Sequence, residues 1–350
     1  MYNSIRPGEV WLDTSGKPIQ AHGFSVFYNE REKLWYWYGE NKEFTKRGGT
    51  TWTHGIRYYT SADLYNWEDR GLMIPPSGDL HDPLHPTYCM DRPHILYCKK
   101  TGKYVAWLKI MGGLVSQFMM ILTADRLEGP YTTVRRVYHP LDMDSGDFTL
   151  CADEETGKAY IFFERPHFQL ICATLTEDYT ACTGEYSVHY DGLKPPYTRE
   201  APTFFTHGGR KYLFTSGTTG YFPNPSEVAV ADSWHGPYTV LGDPCPSDNS
   251  QTTWHAQVSS VFKVPGKRDL YIALADRWLP EAMDIPYDSY RRAFEAAFDP
   301  EADPSDALKY PMPSVTYRTQ IADYVWLPLR FEGDMAFIDW KDEWRVEDYD

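Results

Sequence analysis

The sequence predicts an all-β chain, a five-bladed β-propeller with a short helical insertion in the last blade, on three observations. Five segments repeat one pattern, a polar start, then Tyr or Trp, then an apolar run: KLWYWYGE from 33, KYVAWLKI from 103, KAYIFFER from 158, RKYLFTSG from 210 and DLYIALAD from 269. Their spacing of roughly fifty to seventy residues suits one multi-stranded blade per repeat. Each segment is also followed by a return unit, and helical periodicity is scarce outside DSYRRAFEAAFDPEADPSDALKY, residues 288–310.

The elements follow in order. RYYTSADLYNWEDRGLMI (57–74), MILTADRLEGPYTTVRRVY (120–138) and EVAVADSWHGPYTVLGD (227–243) each run strand, Asp-bearing turn, aromatic, strand, and LICATLTEDYTACTGEYSVHY (170–190) is a weaker copy. Asp, Gly or Pro in the turn reverses the chain, as the outer half of a blade requires. YVWLPLRFEGDMAFIDWKDEWRV, from 324, completes the last blade. Five inner strands in step with their returns imply five blades in one domain, residues 1–350. The competing β-sandwich does not require its strands to repeat in sequence, and here they do.

A chain of 350 residues with 42% hydrophobic and 24% charged residues can bury a core without disulfides or metals. Its 27 Tyr and 12 Trp offer apolar faces with polar edges, a combination used by sugar-binding and protein-binding surfaces. A net charge of -15, with no basic stripe, excludes nucleic-acid partners. Cys89, Cys98, Cys151, Cys172, Cys182 and Cys245 follow no zinc or disulfide spacing and read as reduced thiols packed as small hydrophobes. The opening MYNSIRPGEVWLD has no basic region leading into an apolar run, and no segment approaches membrane-spanning length. A cytoplasmic protein with no membrane partner is expected.

In a propeller, a residue type recurring at equivalent blade positions points to the central channel. The candidates are Glu40 in YWYGENK, Asp91 in CMDRPHILY, Asp147 in DMDSGDFTL, Glu200 in TREAPTFF and Gln257 in TTWHAQVSS. Asp91 and Glu200 are followed at short range by proline, which favours extended backbone before it and is expected to fix where the carboxylate points. Carboxylates that converge from neighbouring blades repel and are partly buried, and both effects raise a carboxyl pKa. Glycoside hydrolysis needs one such protonated acid and a second group on the opposite sugar face. Trp254 and Trp278 flank Gln257 and Asp276 as stacking candidates. An Asp before a strand is otherwise a turn residue, and the chain has 49 acidic residues from which to draw one.

With these residues the chain resembles glycoside hydrolase family 43, most closely its exo-β-1,3-galactanase branch. The resemblance spans about Gly8 to Trp344. It rests on GKPIQAHG (16–23), YWYGENK (36–42), YYTSADLYNW (58–67), Asp-Arg-Pro at 91, SGD ending at Asp147, EAP from Glu200, TSG then PNP (215–225), WHAQ (254–257), DRW (276–278) and YVWLPL (324–329), in that order. It implies a five-bladed propeller and an exo-acting, inverting hydrolase with Glu200 as general acid and Asp147 setting its pKa and orientation. Gln257 matches the glutamine that, in this branch, activates water through its imidic-acid form, since IQAHG lacks the usual first-blade Asp. Glu40 and Asp91 match positions that bind substrate hydroxyls, Asp91 being shorter than the usual Glu. Further candidate substrate-binding positions are His22, Trp254, His255, Asp276, Arg277, Thr218 and Tyr221.

Departures from that pattern lie at His255, at the charged pair Glu164 and Arg165, and in the helical segment from about 281 to 319, which is expected to wall the pocket or mediate homo-oligomerisation. No metal-ligand spacing is present, and His22 and His255 also read as hydrogen-bonded structural histidines. No cofactor is expected, although the resemblance allows a calcium ion in the central channel. The expected partner is an oligosaccharide. Alternatives are an α-arabinofuranosidase, β-galactofuranosidase or β-xylosidase on the same scaffold, a glycoside phosphorylase, and a carbohydrate-binding propeller without catalysis.

Overall fold

Along LWYWYGE, Trp35 and Trp37 pack on one side of the sheet and Tyr36 and Tyr38 on the other, and all four are buried. A strand alternates its side chains between two faces, so a run that is apolar at every position needs a neighbour on both. Sheets stacked radially supply that. A computed structural model describes the chain at every position except 47, 113–115, 304 and 310–317.

The described residues form five four-stranded antiparallel sheets, each built from strands consecutive in sequence. Blade one holds β1 (His22–Asn29), β2 (Leu34–Glu40), β3 (Ile56–Ser61) and β4 (Glu68–Ile74); blade two holds β5 (Cys89–Cys98), β6 (Lys103–Gly112), β7 (Ser116–Ala124) and β8 (Thr132–Tyr138). Blade three is β9 (Phe148–Ala152), β10 (Ala159–Arg165), β11 (Gln169–Leu175) and β12 (Cys182–His189). Blade four is β13 (Arg199–His207), β14 (Arg210–Gly217), β15 (Glu227–Ala231) and β16 (Thr239–Gly242), and blade five is β17 (Gln257–Lys263), β18 (Tyr271–Arg277), β19 (Asp323–Glu332) and β20 (Met335–Ile338). The expected propeller is therefore the fold.

One detail is corrected. The five repeated segments, expected as the inner strands, are β2, β6, β10, β14 and β18, the second strand of each blade. The innermost strands are β1, β5, β9, β13 and β17, which adjoin one another around the ring. Second strands lie inside their sheet and between two blades, so they carry the strongest apolar pattern. Innermost strands carry the polar residues of the channel and read less clearly.

Apolar clusters fill the seams between blades. Trp11, Trp37 and Trp326 meet between blades one and five, with ring centroids 4.7 to 5.6 Å apart. The same seam closes the ring through reciprocal Ile5–Trp344 backbone hydrogen bonds of 2.9 and 3.0 Å. The six cysteines are free, and all but Cys182 are buried.

The insertion lies between β18 and β19. Helix α1 (Tyr287–Phe298) buries Tyr290, Ala293 and Phe294 at helical spacing, and Tyr290 packs with Phe222, Trp278 and Leu279. The predicted helical stretch breaks at Asp299, whose extended backbone precedes Pro300, and resumes only as the short α2 (Asp306–Lys309). No helix among the described residues is long and apolar enough to cross a membrane.

Candidate active site

Each blade sets one polar residue from its innermost strand opposite one from the end of its second strand. His22 faces Glu40, Asp91 faces Lys109, Glu200 faces Ser216 and Gln257 faces Asp276 in direct register. In blade three the Glu164 amide donates to the Asp147 carbonyl at 2.8 Å, which makes the fifth pair. Seven of these ten side chains, all but His22, Ser216 and Asp276, line one cavity.

Directly after His22, Asp91 and Glu200 the register slips, and the next residues, Gly23, Arg92 and Ala201, have φ of 54°, 48° and 48°. The extended backbone expected before Pro93 and Pro202 is thereby overturned, because a left-handed bulge residue occupies both positions. A bulge re-aims side chains, and this one lets Asp91 and Arg92 line the same cavity although they are adjacent in a strand. The bulge amides also stitch blades together. Arg92 N donates to Glu40 Oε1 at 2.8 Å, and Gly23 N donates to Asp276 Oδ2 at 3.0 Å. A Cβ on Gly23 would stand 2.1 Å from Glu40 Oε1. Gly23→Ala is therefore expected to cost about 1–3 kcal/mol, from left-handed strain and displacement of Glu40. Denaturant unfolding measures it, and an unchanged midpoint would contradict the tight fit.

The cavity has a volume of about 300 Å3 and is lined by Glu40, Asp91, Asp147, Glu200, Tyr221 and Gln257 together with Arg92, Lys109, Glu164, His167, Trp52 and Trp278, among others. Charges alternate across it. Lys42 Nζ lies 2.8 Å from Glu40 and 3.6 Å from Asp91; Lys109 Nζ lies 3.4 Å from Asp91 and 2.9 Å from Asp147; Arg92 Nε lies 2.7 Å from Asp147. Gln257 joins this chain to Glu200. Its Oε1 accepts from the Arg92 guanidinium and from Trp278 Nε1 at 3.2 Å, and its Nε2 donates to Ser216 Oγ at 2.8 Å and Glu200 Oε1 at 3.2 Å.

The carboxyls divide into two populations. Burial works to raise Asp91 and Asp147, but the Lys109 and Lys42 charges on the former and Arg92 and Lys109 on the latter outweigh it, and both are held below the usual carboxylate range. Glu200 is pushed well up, by burial first and then by the charges of Asp147 and Glu164. Glu164 is raised by burial and by Asp147, and burial pushes Glu40 up to about 7 despite Lys42 beside it. A protonated acid beside an ionised carboxylate is the division of labour that acid catalysis at neutral pH requires.

The other sequence candidates lie apart from this lining. His22 and Asp276 are wholly buried in the seam between blades five and one, with His22 Nδ1 3.1 Å from Asp276 Oδ1 and Ser259 Oγ donating to Asp276 Oδ2 at 2.8 Å. Thr218 bonds to the Thr198 hydroxyl and carbonyl at 2.8 and 3.1 Å. Arg277 donates to the Trp254 carbonyl at 3.0 Å, Trp254 Nε1 donates to the Ile338 carbonyl at 2.9 Å, and the His255 amide donates to Thr252 Oγ1 at 3.0 Å. Arg92, Lys109, Lys42, Trp52 and His167 were not singled out from the sequence. The signal for Lys109 was present, since AWLKI occupies the same repeat position as YWYGE and FFER. Among the described residues no group of three His, Cys, Asp or Glu side chains is arranged to hold a metal ion.

Comparison with known proteins agrees with this fold. The chain is similar to a family 43 beta-1,3-galactosidase of known structure, with 27% identity, a TM-score of 0.80 and coverage of 99% of this chain and 65% of that one. It is also similar to the exo-beta-1,3-galactanase from Phanerochaete chrysosporium solved with beta-1,3-galactotriose, at 25% identity, a TM-score of 0.77 and coverage of 99% and 68%. An Escherichia coli (strain K12) protein with a provisional beta-xylosidase name is 25% identical over 224 residues, 58% of this chain and 38% of its own length. The chain thus spans well under half of that curated relative. The model of glycosyl hydrolases family 43 matches residues 24–285, three quarters of the sequence, and the chain belongs to that family of glycoside hydrolases.

Proposed function

We propose that the protein is an exo-acting hydrolase that removes a terminal galactose-type unit from an oligosaccharide with inversion at the anomeric carbon. The observation that carries this reading is Glu200, a buried carboxyl pushed well above its ordinary range beside the ionised Asp147. Glu200 donates its proton to the leaving oxygen while water attacks the opposite face of the sugar. Asp147, held by Arg92 and Lys109, keeps Glu200 protonated. Glu40 and Asp91 take sugar hydroxyls. The similarity to a beta-1,3-galactosidase and an exo-beta-1,3-galactanase of known structure supports the choice of sugar.

Two features support exo action by water. Trp52 and Tyr221 have ring centroids 6.1 Å apart, and Tyr221 and Trp278 5.2 Å, so an aromatic wall links blades one, four and five. A terminal sugar fits against such a wall more readily than a through-running chain. Lys42, Lys109 and Arg92 are each committed to carboxylates, so the cations that a phosphate acceptor needs are engaged elsewhere.

In this reading Gln257 activates that water. An amide acts as a base only as its imidic acid, which carries a proton on oxygen, and Arg92 and Trp278 both donate to that oxygen. Substrate must therefore shift at least one of these donors. In Gln257→Glu, a carboxylate beside Arg92 supplies an ordinary base, and kcat is expected to stay within about tenfold of the original with a new acidic limb in its pH profile. A fall of about a hundredfold with no new limb would assign Gln257 to holding Glu200 alone.

The reading as a whole is tested by NMR on β-1,3-galactotriose. Galactose and β-1,3-galactobiose are expected in equal amounts, with the new anomeric centre on the galactose and initially α. Initial β-galactose would overturn inversion, and preference for an arabinofuranoside, galactofuranoside or xyloside would move the enzyme to another sugar.

A further inference from the structure

The aromatic wall covers the blade-one, blade-four and blade-five side of the cavity, which leaves the side of blades two and three for the leaving sugar. On blade three His167 lines the cavity, in the turn directly after β10, the strand that carries Glu164. Its amide donates to Glu164 Oε1 at 2.9 Å, which fixes the turn, while its side chain stays about half exposed.

The insertion reaches the same place from the other direction. Helix α1 begins near the Trp278 wall, crosses blade four through Tyr290 to the Pro223 carbonyl, and ends beside His167. Lys194 Nζ to Asp299 Oδ1, 2.7 Å, pins that end to the loop before β13. The Phe298 and His167 ring centroids are 5.9 Å apart. Phe298 also stacks at 5.8 Å on the buried Phe294, yet remains 46% exposed at the end of an otherwise anchored helix. A large aromatic face left open at the margin of a polar cavity, and held rigidly from behind, is what an uncharged sugar ring needs to stack on.

We propose that His167 and Phe298 form a platform for the sugar units beyond the scissile bond, so that the inserted helix sets the preference for longer oligosaccharides. The occupant is the leaving-group pyranose of the same substrate, because His167 belongs to the lining of the catalytic cavity. This deepens the hydrolase reading above and rests on it. An exposed Phe168, with the Arg165 guanidinium 5.6 Å from its ring centroid, extends the apolar margin in the same turn.

The test compares kcat/KM for a trisaccharide with that for the matching methyl glycoside, which has no leaving-group sugar. The ratio is read in whichever series the wild type cleaves, β-1,3-galactosyl, xylosyl or arabinosyl. In Phe298→Ala the ratio is expected to fall about three- to tenfold, the worth of one aromatic stacking contact. His167→Ala should lower it comparably, and Phe298→Trp should preserve it, which separates loss of stacking from loss of the helix. An unchanged ratio in both alanine variants overturns the platform. Cleavage confined to a non-galactosyl series overturns the sugar assignment and leaves the platform to be judged by the ratio in that series. A wild type that cleaves no series overturns both.

Discussion

In Glu200→Gln, turnover of an unactivated oligosaccharide is expected to fall by about a hundred- to ten-thousandfold, the usual contribution of a general acid. Aryl glycosides whose leaving group needs no proton should lose much less. The same substitution is expected to raise Tm at pH 7. Burial is the main cause that lifts the Glu200 carboxyl, followed by Asp147 and Glu164. Because its folded-state pKa lies above the unfolded value, the stability linked to Glu200 is complete below about pH 4, the unfolded carboxyl range, and is lost as pH rises toward the folded value. An amide has no such loss, so the Tm difference should be small near pH 4 and grow toward neutrality. Melting curves at both pH values, with kcat on both substrate types, check this. Intact turnover would sink the acid assignment, and a Tm difference independent of pH would contradict a buried neutral carboxyl.

Arg92→Ala is expected to be the most damaging single substitution for stability, at about 3–5 kcal/mol, because it strands a buried carboxylate. Arg92 is 4% exposed, lies 2.7 Å from Asp147 and donates to Gln257. The pKa of Asp147 is depressed in the folded state, so its contribution to stability is present above the unfolded value and is lost as pH falls through the folded one. Without Arg92, Lys109 at 2.9 Å is the cation left beside it among the described residues, and acid unfolding should begin at a higher pH. Arg92→Lys keeps the charge without the planar fork and should recover only part of the loss. Denaturant unfolding at pH 7 and an acid titration of each variant measure the effect. A loss under about 1 kcal/mol, or an unmoved acid transition, would show that Asp147 does not depend on Arg92.

These two residues stand differently toward the sequence. Glu200 was legible, since it recurs with Asp91, Asp147 and Gln257 at equivalent repeat positions, and all four line one cavity. Arg92 was not. Strict alternation sends the neighbour of Asp91 to the opposite face of its strand, and only the left-handed bulge at φ 48° turns both inward. His22 and Asp276 show the converse: both belong to the same ring of pairs, yet they bond to each other in a closed seam, where Asp276 also accepts from the Gly23 amide. Alternation and repeat spacing locate a ring of polar residues without saying which of them the seams between blades consume.

The sequence by itself determined five repeating units, the strands that carry their apolar pattern, the helical insertion and the family resemblance, because each is written locally in side-chain periodicity and turn residues. The tertiary structure alone decided which strands lie innermost, which cations hold Asp91 and Asp147 ionised, and where α1 ends relative to His167. Those outcomes depend on contacts between blades far apart in sequence: Arg92 reaches Gln257, 165 positions away, and His22 reaches Asp276, 254 positions away. The proton that Glu200 keeps follows from that long-range arrangement, since burial and the neighbouring charges exist only once the ring has closed.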